Sequence, residues 1–202
     1  MKSAHVLWLA LVSVVVLQFA TGVYAVLYED PAAIMSDHVY FDNYSSPALA
    51  GFVDYAVYAP GDYSGSISFP GQYVYAYQFF NNDTSEIGID FFSVGVLPDI
   101  TVFNVLDDPL FAYGVPGGVR PSVEFALTES VLYLFQLDNV GADEYSSVLL
   151  FTSDREPMMG AGVVSGGITG GVIVELPTPA PEPVTVALLG LGAVLAARRR
   201  RR

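Results

Sequence analysis

The residue types that usually perform catalysis are scarce in this chain. Cysteine is absent, which removes thiol nucleophiles, disulfides and thiolate-ligated metals together. His38, in Ser36-Asp37-His38-Val39-Tyr40, is the only histidine beyond His5. A Ser–His–Asp triad would have to use it, yet no G-x-S-x-G elbow exists. Zinc hydrolysis normally needs two or more histidine ligands. His38 is therefore expected as a loop histidine, exposed or hydrogen-bonded. Gly160-Ala161-Gly162-Val163-Val164-Ser165 approaches a dinucleotide fingerprint, but the last glycine and the following helix are missing. A strand or flexible turn is expected there.

Carboxylates are the one abundant reactive group. The chain has 21 acidic residues against 8 basic ones. Residues 26–180 hold only Arg120 and Arg155 against twenty acids, a formal charge of −18. Such a surface repels phosphate backbones, so nucleic acid is excluded as a partner. Two carboxylates ~5–9 Å apart can hydrolyse a glycoside, but nothing in the spacing selects a pair. No lysine stands between residues 26 and 180 to clamp an anionic transition state. The expectation is a protein without catalytic residues, not an enzyme; an extracellular glycoside hydrolase is the least favoured alternative.

Calcium is the best small ligand for these acids. Asp107-Asp108 and the run Asp138-Asn139-Val140-Gly141-Ala142-Asp143-Glu144 offer oxygen donors. Neither matches the D-x-[DN]-x-[DN]-G loop. The expectation is no cofactor and no dedicated metal ligands, with calcium as the alternative. A carbohydrate-binding surface built on tyrosines is a second alternative, since aromatic rings stack on sugars. The one tryptophan, Trp8, lies in the apolar N-terminal segment, and the tyrosines are expected as core residues or cross-strand pairs.

The elements that would position these groups read as strands. Phe52–Tyr58 is expected as the first. Gln72–Phe80, Ile87–Leu97, Thr101–Leu106, Ser122–Thr128, Val131–Leu137, Val148–Thr152 and Val172–Leu176 come after it, rich in aromatic and β-branched residues. Turn signals recur about every ten positions, at Pro60-Gly61-Asp62, Asn81-Asn82-Asp83, Pro98-Asp99, Pro116-Gly117-Gly118 and Asp138-Asn139, the spacing an antiparallel sandwich produces. The fold class expected is all-β, a single antiparallel β-sandwich of immunoglobulin-like or jelly-roll-like type. Thirteen Tyr and thirteen Phe supply the bulk that replaces disulfides.

Both ends differ from this body. MKSAHVLWLALVSVVVLQFATGVYA has a basic start at Lys2, an apolar stretch from Val6 to Phe19, and small residues before Ala25. It reads as a secretory signal peptide over 1–25, cut after Ala25. Such a leader implies export through the Sec machinery and removal by signal peptidase. Val184–Ala197 is apolar again. As a helix its fourteen residues reach about 21 Å, short of a ~30 Å bilayer core. Arg198, Arg199, Arg200, Arg201 and Arg202 close the chain. On a chain exported from its N-terminus, they act as a cytoplasmic stop that fixes topology. The domain plan is thus 1–25 signal peptide, 26–176 exported domain, 177–180 Pro-rich spacer, and 181–202 tail with a short apolar helix.

Pro181-Glu182-Pro183, the apolar helix with Gly190 and Gly192, and the terminal arginines stand in an order that resembles a PEP-CTERM sorting signal. The resemblance covers about a tenth of the chain. It implies an exported protein of a Gram-negative or related bacterium, recognised at Pro181, Glu182 and Pro183 and cleaved by an exosortase, a membrane-embedded cysteine protease. It implies transient anchoring in the inner membrane, then residence at the cell surface or in the extracellular matrix. The same resemblance implies a structural or interaction role linked to exopolysaccharide and biofilm. Two pieces of the body also look like strand pairs of exported domains that precede this signal. One is Tyr73–Asn82 with Phe92-Ser93-Val94-Gly95; the other is Leu149–Ser153 with the Gly-rich segment after it.

Overall fold

The computed structural model describes residues 27–111, 114, 117–167 and 171–181. Almost all regular structure among them is β. A 3-10 turn, Leu27–Glu29, leads into β1 (Met35–Asp42), β2 (Ala50–Tyr58), β3 (Tyr73–Asn81), β4 (Phe91–Gly95), β5 (Val102–Asp108), β6 (Val123–Ala126), β7 (Ser130–Leu134), β8 (Glu144–Tyr145), β9 (Val148–Ser153), β10 (Pro157–Ser165) and β11 (Gly171–Pro179). They form two antiparallel sheets. The first has the order β1-β2-β3-β9-β5, with β8 pairing onto β3. The second has the order β11-β10-β4-β7-β6.

The side-chain period of two sorts each strand into two faces. Val53, Tyr55 and Val57 of β2, Tyr75, Tyr77 and Phe79 of β3, and Leu149 and Phe151 of β9 point one way. They share one core with Phe92 and Val94 of β4, Val131 and Tyr133 of β7, Val164 of β10, and Val174 and Leu176 of β11. The rings interlock: Tyr75 stacks on Phe151 at 4.8 Å, and Phe79 meets Phe92 at 5.5 Å. Buried tyrosine hydroxyls need acceptors, and three in this core find a main-chain carbonyl. Tyr133 of the second sheet donates to Leu150 O of the first at 2.6 Å. Tyr77 of the first donates to Pro177 O of the second. Tyr75 donates to Arg155 O at 2.7 Å. Burial pushes the ionisation of Tyr77 and Tyr133 well above the ordinary phenol range, so both remain donors.

The opposite face of the first sheet carries a second core. Leu27, the loop residues Tyr63 and Phe69, and Phe111 cover Ala56, Tyr58, Val74, Ala76 and Leu150. Two carboxylates are consumed in this layer. Asp108, fully buried, accepts from Tyr63 OH at 2.8 Å, Ser66 N at 2.9 Å and Leu110 N at 3.2 Å. Asp30 accepts from Tyr58 OH and from Ala32 N, both at 2.9 Å.

Several expectations change. The first strand is β1, not Phe52–Tyr58. Its Met35–Asp42 sequence mixes polar and apolar residues because it is an edge strand with partly wet faces. Of the strand or turn expected for the Gly-rich stretch, the structure has the strand, β10, paired with β11 on one side and β4 on the other. At Gly162 a Cβ would lie 2.5 Å from Leu176 Cδ1; the missing side chain is the space Leu176 fills. The strand β11 continues through Pro177, Thr178 and Pro179, opposite Met159, Met158 and Pro157, into the stretch read as spacer. Neither expected strand pair is a pair: β3 and β4 lie in different sheets, as do β9 and β10.

Candidate functional site

The outer face of the first sheet bears an uninterrupted set of aromatic rings beside the second core. Cross-strand register creates it. Tyr40 of β1 lies opposite Phe52 of β2, Phe52 opposite Phe80 of β3, and Phe80 opposite Tyr145 of β8. Ring centroids are 6.1 Å apart for Tyr40–Phe52, 5.2 Å for Phe52–Phe80 and 4.5 Å for Phe80–Tyr145. One step along, His38 sits between two tyrosines, 5.0 Å from Tyr28 and 5.0 Å from Tyr40, edge to face with both. His38 is thus a strand residue in an aromatic row, not a loop histidine. Tyr40 is 73% exposed; the other rings are partly buried.

Asp54 lies within this face. In β2 it stands one alternation from Phe52, opposite His38 on one side and Gln78 on the other. It is only 1% exposed, and its Oδ1 has no hydrogen-bond partner. Burial pushes its carboxyl up to about 7, with the nearby Glu29 charge adding to the rise. Its charge is felt in turn by Tyr28 and Tyr145. A buried carboxyl oxygen without a donor is costly, and its surroundings here are aromatic rings.

A second carboxyl pair closes one edge between the sheets. Asp107 of β5 and Glu124 of β6 both point toward the core and hydrogen-bond to each other. Burial first, and the Asp107 charge second, push Glu124 up to about 7. Arg120 clamps Asp107 from outside with two bonds of 2.8 Å. The Asp107 side chain is 4% exposed while that of Arg120 is 64% exposed. Glycosidases hold their carboxyls ~5–9 Å apart so that a sugar fits between. Here the Asp107 carboxylate lies close enough to Glu124 to raise its ionisation by charge and hydrogen bond.

The other acidic run borders a cleft of about 540 Å³ lined by Asp90, Phe91 and Leu134–Asn139. In the cleft Asp90 accepts from Gly167 N at 3.0 Å, and in the acidic run Glu144 accepts from Gly141 N at 2.8 Å. Among the described residues, no three His, Asp or Glu side chains converge as a metal site would require. Neither run of acids offered for the calcium alternative gathers such a set among the described residues.

Of the sorting residues, Pro181 stands after β11 at the end of the described chain; Ala180 N just before it donates to Glu156 O at 2.7 Å. Glu182, Pro183, the arginines 198–202 and the cleavage residue Ala25 lie outside the described residues. No helix among the described residues is long and apolar enough to cross a membrane.

Fold and faces together define an all-β domain of two antiparallel sheets with an aromatic outer surface. Compared with family models, with curated proteins and with solved structures, the chain matches none.

Proposed function

We propose that this chain is an exported bacterial envelope or matrix protein, sorted and trimmed by an exosortase, whose body is a non-catalytic interaction domain. In this reading the two sheets close face to face as a β-sandwich of immunoglobulin-like or jelly-roll-like type. The observation that carries it is the sequence order: basic start, apolar leader and small residues, then an acidic domain, then Pro181-Glu182-Pro183, an apolar run and five arginines. The end of the sheet supports the placing of the motif, since the pairing of β11 stops at Pro179, just ahead of Pro181. Signal peptidase, the exosortase and, for a time, the inner membrane are the processing partners. The buried acids support a binding rather than a hydrolytic role, because Asp30, Asp107 and Asp108 are committed to internal hydrogen bonds.

Intact mass spectrometry of protein recovered from the surface of the producing cell tests the sorting. The expected product lacks residues 1–25 and the arginine tail. Arg202 retained on surface-exposed protein would overturn the reading.

A carbohydrate-binding role is favoured by one specific observation, the set of rings around Asp54.

A further inference from the structure

We propose that the outer face of the first sheet binds an amino sugar of an extracellular polysaccharide, its ring stacked on Tyr40 and its ammonium group directed to Asp54. The setting rests on the exported, matrix-facing role above; the site itself rests on geometry.

Three observations converge. The first is the ring array. Tyr28, His38, Tyr40, Phe52, Phe80 and Tyr145 form a continuous chain of contacts between 4.5 and 6.2 Å, and Tyr40 stands 73% exposed. Tyr40 thus offers an exposed ring continuous with the partly buried ones. A pyranose presents a flat C–H face that stacks on such rings.

The second is Asp54. Its Oδ1 is buried and has no donor, although other buried carboxylates of the chain are well supplied: Asp108 has three. Buried polar atoms are seldom left this way. A donor supplied by a ligand completes it. Tyr28, on the turn Leu27–Glu29, feels the Asp54 charge and is the ring that yields as that donor arrives.

The third is charge. Every resolved charge bordering the face is acidic: Glu29 beside Tyr28, Asp42 at the end of β1, Asp143 beside Tyr145. Both arginines of residues 26–180 are engaged elsewhere, with Asp107 and Asp154. An anionic uronic polymer is repelled here. An ammonium group is drawn by the carboxylates and by the ring faces together, since cations are held over aromatic rings at about 0.5–2 kcal/mol per contact. Stacking selects a sugar ring, and charge selects its amine.

Isothermal titration of the full-length chain in detergent with a glucosamine hexamer tests the proposal. Parallel titrations use an N-acetylglucosamine hexamer, a glucose hexamer and a lysine hexamer. The expected result is binding of the glucosamine hexamer, weakened at least tenfold in Asp54→Asn and in Tyr40→Ala. Asp54→Asn keeps the side-chain volume, and Tyr40 is on the surface, so both variants fold; circular dichroism checks this. Glu129→Gln, an exposed acid in the turn between β6 and β7 of the other sheet, is expected to leave binding unchanged. Equal weakening in Glu129→Gln and Asp54→Asn would reduce the effect to diffuse charge and overturn the site. Equal affinity for the glucose or N-acetylglucosamine hexamer would overturn the ammonium contact with Asp54. Equal affinity for the lysine hexamer would overturn the sugar, and no binding at all would overturn the whole. None of these results touches the sorting reading, which the mass of the surface protein decides separately.

Discussion

Two carboxyls, Asp54 and Glu124, give this acidic protein an unusual dependence on pH. Both rise to about 7 in the folded state, from ordinary values of 3.8 and 4.5. Each therefore binds its proton more tightly in the native chain than in the unfolded one. Between about pH 4 and pH 7 the native state holds more protons, so stability falls as pH climbs through that window and is level above it. Self-repulsion of a surface carrying −18 over residues 26–180 works in the same direction. The melting temperature is expected to be higher at pH 5 than at pH 8. A difference of about 1 kcal/mol corresponds to roughly 2–4 °C in a domain of this size. The double variant Asp54→Asn, Glu124→Gln is expected to flatten the profile. A wild-type melting temperature that climbs from pH 5 to pH 8 would be incompatible with these assignments. Nothing in the order of residues distinguishes Asp54 from the other acids; its isolation arises from which side chains the register brings around it.

At the scale of elements, legibility followed composition. Strands dense in aromatic and branched residues, such as β3 and β9, announced themselves, because burial on both faces leaves a continuous apolar run. β1 was hidden by Ser36, Asp37 and His38, which are tolerated where an edge strand meets water. β10 was left between strand and turn by Gly160 and Gly162, because glycine ordinarily weakens strands. Here glycine admits the side chains of the neighbouring strand: a Cβ at Gly160 would lie 2.6 Å from Thr178 Oγ1. Gly162→Leu should therefore overpack the core, costing about 1–3 kcal/mol. Urea unfolding would reveal it, and a variant as stable as the parent would show that Leu176 has other room. The aromatic face was not legible, since His38 was expected in a loop and β1 was missed. The pairing of Phe52 with Phe80, and of Phe80 with Tyr145, required the sheet order.

Across the whole molecule, hydroxyl groups serve where a cysteine-free chain has no covalent links. Tyr133 and Tyr77 reach from opposite sheets to main-chain carbonyls of the other, so the sheets are joined by directional bonds as well as by packing. Tyr133→Phe is expected to destabilise the protein by about 0.5–1.5 kcal/mol, read as a lower urea midpoint with an unchanged m-value. No loss would mean that the core holds the sheets together without this bond. The charge pattern of the chain and its apolar ends were legible from the start, because they depend on composition alone. The way the sheets meet was not, since it depends on contacts between residues far apart in sequence, Tyr77 and Pro177 among them.

In the sheet ladder the carboxyl-side strand β11 pairs with β10 alone, and its far end, Pro179 opposite Pro157, is the open end of that ladder. A mechanical load entering at Ala180 meets these rungs one after another, since the bonds of an antiparallel pair run across the strands. Traction from that side peels a single ribbon until it reaches Pro177, whose carbonyl Tyr77 holds from the interlocked rings behind. The molecule has a compliant end and a stiff body.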